Sequence, residues 1–341
     1  MKSKKLYYTG IAVLLIVILG ICAFYLFAPI SKQNKTVYLY IDNNDTPDSL
    51  FKKIEEQCHD FGATAVMTMA RHTDYVKNIR QGRYAITPST NAFTLFRNMR
   101  NGNQTPINIV IPEVRTRERL AETITKNLMM EKEDLLDYLN NNDSLKFLGK
   151  DIDTCTVIAL FLPYTFEMYW NVSPKKLLEN MNEEHKKFWN KERLSKAKAL
   201  ELTPLQVQTL ASIVDEETNY LPEKPTVAGM YYNRLMTDMP LQADPTVKFA
   251  LQDFSLKRIY HNMLSYPSPY NTYYTTGLPP GPIRIASVAG IDAVLNLEHH
   301  NYLYMCAKED FSGSHNFAET YPEHLQNASR YTNALNARGI K

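Results

Sequence analysis

Three consecutive acids, Asp215, Glu216 and Glu217, close an apolar stretch that reads LQVQTLASIVDEET. A carboxyl group offers two kinds of chemistry. Ionised, it pairs with cations or takes up a proton; kept neutral by burial, it donates one near neutral pH. Which of the three is buried depends on the helix that carries them. Thr203 and Pro204 supply a capping residue and a first-turn proline, so the pattern predicts a helix from there through the acids. With Val214 set at zero on a helical wheel, Val207 falls at about +20°, Leu210 at about −40°, Ala211 at about +60° and Ile213 at about −100°. These define an apolar side. Asp215 falls at about +100°, Glu216 at about −160° and Glu217 at about −60°, so Glu217 alone continues the stripe. An acid there is partly desolvated, which pushes its pKa above the ordinary value of about 4.3 and suits it to act as a general acid. The plainer alternative is that the helix ends near Glu217 and the carboxylate reaches solvent or pairs with an arginine.

Downstream lie three clusters of polar, aromatic and turn-forming residues: LQADPT (241–246), YNTY (270–273) and GLPPGP (277–282). They read as loop material. Loops on a rigid scaffold concentrate substrate contacts, and tyrosines beside amides and hydroxyls suit the apolar faces and polar edges of a sugar. Each cluster alone is also an ordinary structural turn.

The chain that must position these residues has 341 residues, with 44% apolar and 22% charged content. That is the composition of a folded globular protein, long enough for an anchor and two modest domains. The 38 basic and 36 acidic residues are interspersed and leave a net charge of +2, so no nucleic-acid partner is expected. From Leu6 through Ser31 no residue is charged, and Ile11 to Phe27 is almost wholly apolar, enough to cross a bilayer as a helix. Tyr7 and Tyr8 at one end, and Phe24, Tyr25 and Phe27 at the other, resemble interfacial aromatic belts. A cleaved signal peptide would have a shorter apolar core and a small-x-small site, and a lipoprotein signal at Cys22 would not carry Ile21 before it; a retained anchor is expected. Cys22, Cys58, Cys155 and Cys306 form no CxxC pair and read as unpaired thiols.

Beyond the anchor, Thr36–Ile41 and Arg83–Ile86 read as short strands, with a helix opened by Thr46-Pro47 through Leu50, Phe51 and Ile54. A further helix through Phe93, Leu95, Phe96 and Met99 is ended by Asn101-Gly102. Ile107, Ile109 and Ile111 suggest a third strand, and Thr116 begins a helix through Leu120, Ile124 and Leu128. Residues 130–153 are polar and acidic, and Pro174 to about Ala199 is one long amphipathic stretch. The fold class expected is α+β: a single N-terminal transmembrane helix, a small α+β module, and a larger mixed domain built around the acid-bearing helix.

Taken together, ASIVDEET (211–218), Asn233-Arg234-Leu235, LQADPT, YNTY and GLPPGPI, in that order and spacing, resemble the MltG (YceG-like) endolytic murein transglycosylases. The strand GRYAIT (82–87) and the segment FLPYTFEMYW (161–170) extend the resemblance over nearly the whole chain. It implies a cytoplasmic tail over 1–5, a transmembrane anchor over 6–30, a LysM-like module over 31–112, connecting helices over 113–153 and a YceG-like catalytic domain over 154–341. It implies Glu217 as the catalytic residue, protonating the MurNAc–GlcNAc linkage and then, as a base, taking the proton of the MurNAc 6-hydroxyl. The product is a 1,6-anhydroMurNAc end, made without water, metal or cofactor, in a lyase that terminates nascent glycan strands. Asn233, Arg234, Gln242, Asp244, Thr246, Tyr270, Asn271, Thr272, Tyr273 and His315 become candidates for substrate contact. Arg234 and Asp244 serve equally well as a structural ion pair, and His315 as a structural hydrogen-bonding residue. Penicillin-binding proteins are implied as partners, and the cytoplasmic (inner) membrane as the location, with the bulk of the chain periplasmic. This chain departs from the family pattern at Arg284-Ile285-Ala286-Ser287, where a Ser-Asn-Pro-Gly turn is common, and at Val114, where a glycine is. Two rival functions stand beside it: a two-carboxylate hydrolase in which Asp244 or Asp215 activates water, and a non-catalytic glycan-binding scaffold at the membrane.

Overall fold

The computed structural model describes residues 2–339, and the chain divides into two compact units. One comprises Met1–Ile109, Asn127–Met129 and Glu167–Val172; the other comprises Val110–Lys126, Met130–Phe166 and Ser173–Lys341.

The first unit begins with the apolar helix α1 (Lys2–Phe27). Its span Tyr7–Phe27 has a mean hydropathy of 2.8, is long and apolar enough to cross a membrane, and leaves its large apolar side chains exposed. Only its C-terminal end packs on the unit, where Phe24 stacks on Phe61 and Phe27 meets Phe93. Strand β1 (Val37–Ile41) runs antiparallel to β2 (Gly82–Ile86), with Val37 opposite Ile86 and Ile41 opposite Gly82. Leu39 and Ile41 point into the core while Tyr38 and Tyr40 face outward, the period-two alternation of a half-buried strand. Between the strands lie α2 (Pro47–Gln57), capped by Thr46 with Pro47 in its first position, and α3 (Asp60–His72). Periodicity does not announce α3, because its buried residues Gly62, Ala63, Ala65, Val66, Met67 and Ala70 are mostly small and cover a broad face rather than one stripe. A Cβ on Gly62 would lie 2.4 Å from the Ile30 side chain. Helix α4 (Ala92–Asn101) is capped by Asn91 and stopped at Gly102, which adopts φ +71°. The strands β3 (Ile107–Val110) and β4 (Thr165–Met168) pair with each other.

The second unit opens with α5 (Arg117–Thr125), α6 (Lys132–Leu139) and α7 (Asn142–Leu145). Thr116 caps α5, which ends before Leu128. The segment read as connecting helices, 113–153, falls within this unit apart from 127–129. The long amphipathic stretch is two helices, α8 (Pro174–Phe188) and α9 (Lys191–Ala199), because Asn190 turns out of helix to cap α9 through the Arg193 amide. The acid-bearing helix α10 (Pro204–Glu217) follows, then α11 (Lys224–Met236), α12 (Asp244–Leu251) and α13 (Val288–Leu295). The unit ends with an antiparallel hairpin of β5 (Tyr304–Ala307) and β6 (His315–Ala318), and α14 (Tyr321–Ala337). Its core gathers around α10: Val207, Leu210, Ala211, Ile213 and Val214 pack with Val227, Ala228 and Tyr231 of α11 and Ile291 and Val294 of α13. All four cysteines are free thiols; burial pushes that of Cys58 up to about 12.

Candidate active site

Helix α10 starts as its sequence dictates. The Thr203 hydroxyl accepts from the Gln206 amide, the Gln206 side chain accepts from the Thr203 amide, and Pro204 occupies the first turn. The wheel goes wrong further along. Every residue from Val207 to Asp215 is buried, because α10 has neighbours on several sides, including α11 and α13. Asp215 therefore does not face solvent: it is 4% exposed.

The three acids meet three different fates. The Asp215 carboxylate receives the Lys224 ammonium, the Ser287 amide at 2.6 Å and the Ser287 hydroxyl at 2.9 Å. This pairing ties α10 to the starts of α11 and α13, and the space is so tight that a Cβ on Gly290 would lie 2.4 Å from Asp215 Oδ1. Glu216 takes a two-pronged hydrogen bond from Arg115, 2.8 Å on each side, and a third from Arg284 at 3.3 Å. That carboxylate holds the Arg115 guanidinium above its ordinary pKa. Arg284, at the position where the sequence departs from the family pattern, bridges Glu216 and Glu113. Glu217, at the last residue of the helix, makes no ion pair among the described residues. Its Oε1 accepts from the Tyr231 hydroxyl at 2.6 Å.

A partly buried acid with no cation beside it is harder to ionise. Desolvation raises Glu217 from 4.5 to about 7, the nearby Asp244 and Glu216 charges push in the same direction, and the Tyr231 donor and His315 pull back. Near neutral pH the carboxyl is therefore partly protonated, with Tyr231 fixing one oxygen and the other left to carry the proton.

Glu217 opens onto a cavity of about 240 Å³. Tyr231 and Arg234 of α11, Gln242, Asp244 at the start of α12, Tyr273, and His315 at the start of β6 share that lining, with Met230, Leu241, Met305, Cys306 and Ala307 as its apolar parts. Residues separated by nearly a hundred positions thus converge on one carboxyl.

Of the residues expected to touch substrate, Arg234, Gln242, Asp244, Tyr273 and His315 line this cavity with Glu217. Arg234 is not paired with Asp244. Its guanidinium is buried and donates to the backbone oxygens of Leu303, Pro240 and Leu241 and to Gln242 Oε1, so it holds the 240–242 turn against β5. Asp244 instead accepts from the Tyr273 hydroxyl at 2.7 Å. Thr246, Asn271 and Thr272 are fully buried. Thr246 and Thr272 bond to each other and to the Ala243 backbone, and Asn271 closes its own turn on the carbonyls of Leu264 and Tyr266. Asn233 spends its amide on the carbonyls of His300 and Tyr302. These four shape the site without facing it. Tyr270 packs on Phe249 and lines a separate cavity of about 420 Å³ with Arg117, Cys155 and Ser268. LQADPT is also not a loop throughout, since Asp244 and Pro245 open α12. His315 lines the cavity, and its Nδ1 and backbone amide bond to the two oxygens of buried Glu223, at 3.0 and 2.7 Å.

Sequence reasoning missed Tyr231, Glu223 and Lys224. Tyr231 lies one turn before Arg234 on α11, and Pro222-Glu223-Lys224-Pro225 marks that helix's start, but neither pattern discloses a partner on another element. Among the described residues no group of three or more His, Cys, Asp or Glu could hold a metal ion.

A family model described as the YceG-like family matches residues 39–330. The chain belongs to the YceG-like family. A protein of Bacillus subtilis strain 168 named endolytic murein transglycosylase is 38% identical over 130 residues, which is 38% of this chain and 35% of that protein. One of the same name from Streptococcus pneumoniae serotype 2 is 25% identical over 292 residues, 78% of this YceG-like chain and 53% of the relative. The matched region thus spans about half or less of these curated relatives' length. In fold, the chain is similar to the crystal structure of a putative yceG-like protein from Listeria monocytogenes, with a TM-score of 0.56, 24% identity, and 86% of this chain and 99% of that one covered.

Proposed function

We propose that this YceG-like chain is an endolytic peptidoglycan lytic transglycosylase, a lyase that cuts glycan strands between MurNAc and GlcNAc. The observation that carries the reading is the state of Glu217. Of the three acids on α10 it alone lacks a cation, and it faces a cavity with its pKa raised to about 7. Glu217 protonates the glycosidic oxygen as the C1–O bond breaks, and positive charge grows on the MurNAc ring. The Asp244 carboxylate, on the same cavity, stabilises that charge. The MurNAc 6-hydroxyl then closes onto C1 and leaves a 1,6-anhydroMurNAc end. In the single-carboxylate scheme Glu217, now ionised, also takes the hydroxyl proton. The curated relatives' name supports this assignment.

Under the same proposal, α1 retains the enzyme in the cytoplasmic membrane, the first unit contains a LysM-like module that meets glycan, and the cut terminates strands as penicillin-binding proteins make them. The hydrolase reading survives in one form, since Asp244 lines the cavity whereas Asp215 is sealed by Lys224 and Ser287. Digestion of purified sacculi tests the role of Glu217. Glu217→Gln keeps the shape and removes the acid, so its glycan release should fall at least about 100-fold. Release equal to wild type would remove Glu217 from the chemistry.

A further inference from the structure

His315, on the lining of the Glu217 cavity, is hydrogen-bonded to Glu223 behind it. The Glu223 side chain is 7% exposed and that of His315 14%. Glu223 Oε2 lies 3.0 Å from His315 Nδ1, and Glu223 Oε1 accepts the His315 amide at 2.7 Å. When Glu223 accepts from Nδ1, that nitrogen carries the ring proton and Nε2 is left as an acceptor. No described residue bonds to Nε2, and His315 shares the lining of the cavity with Glu217. A buried carboxylate behind an imidazole, with the far nitrogen open toward a reacting group, is the arrangement that orients a base and stabilises the imidazolium it becomes.

We propose that His315 is the general base of the reaction, taking the proton of the MurNAc 6-hydroxyl, with Glu223 as the residue that positions it. This rests on the lytic transglycosylase reading above and divides between two groups the roles otherwise given to Glu217 alone. The bookkeeping closes without any co-reactant. The C1–O4 bond breaks and its oxygen takes the Glu217 proton; the C1–O6 bond forms and the O6 proton passes to His315 Nε2. The imidazolium is then held against Glu223, and a proton moved from His315 to Glu217, directly or through water, restores both groups. Asp244 is less suited to the task, because its Oδ1 already accepts from Tyr273 and an ordinary carboxylate is a weaker base than imidazole.

A substrate whose leaving group needs no proton separates the two roles. On a glycan fragment carrying 4-nitrophenolate at the MurNAc C1, Glu217→Gln should recover to within about tenfold of wild type. His315→Gln and His315→Ala should stay about 100-fold slow in kcat on this substrate and on native glycan, with KM little changed. Free imidazole should restore His315→Ala, which a purely structural defect would not allow, and Glu223→Gln should fall between the two. Activity of the His315 variants equal to wild type, or Glu217→Gln as inactive on the activated substrate as on the native one, would overturn the assignment. So would the same loss appearing in Asp244→Asn while the His315 variants react normally. The underlying reading fails separately, if wild type yields reducing ends from native glycan.

Discussion

At the scale of single residues, three adjacent acids on one helix show that neighbours, rather than residue type, decide chemistry. Asp215 and Glu216 are neutralised by Lys224, Arg115 and Arg284, whereas Glu217 has only the Tyr231 hydroxyl. If Glu217 is the proton donor proposed above, the alkaline side of the activity profile should fall as pH rises through about 7. Tyr231 favours the ionised form, so Tyr231→Phe should raise the pKa further and move the alkaline limb of the kcat/KM profile to higher pH. The lost orientation should lower kcat about tenfold. A limb moved to lower pH would show that Tyr231 does not act on this carboxyl. The end of the apolar stripe singled out Glu217 in the sequence, and the structure sets that residue on a cavity. The burial of Asp215 was not, because the wheel weighs one helix alone and Lys224 and Ser287 come from other elements.

At the scale of elements, the helix starts were the readable part. Thr46, Thr116 and Thr203 each cap the helix expected of them, since capping needs only residues three apart. Helix α3 and the division of α8 from α9 escaped, the first because its buried residues are mostly small and spread over a broad face and the second because one asparagine outweighs a continuous amphipathic pattern. The pair of Asp215 and Lys224 is where α10 meets α11, nearly dry, with side chains 2% and 7% exposed. Lys224→Met would leave the Asp215 carboxylate buried without its cation, and we expect a loss of about 3 to 5 kcal/mol. Thermal unfolding of the detergent-solubilised protein measures it, and an unchanged midpoint would show that the pair does not hold these helices together.

For the whole molecule, the 21 apolar residues Tyr7–Phe27 span about 30 Å as a helix, the thickness of a bilayer's hydrocarbon core. This was readable from composition, since lipid demands an unbroken apolar run and nothing subtler. The full chain should stay in the membrane fraction after alkaline carbonate washing, and a chain lacking residues 1–28 should be released; carbonate release of the full chain would count against an integral anchor. The site was less legible than the apolar helix because it is assembled from α10, α11, the start of α12 and the β5–β6 hairpin, a convergence that only the folded second unit reveals. Under the proposed function this site cuts glycan by internal closure on a proton donated by Glu217. Mass spectrometry of the strands released from purified sacculi by the full-length enzyme tests it most directly. We expect 1,6-anhydroMurNAc ends, absent with Glu217→Gln; reducing MurNAc ends, heavier by one water, would contradict it.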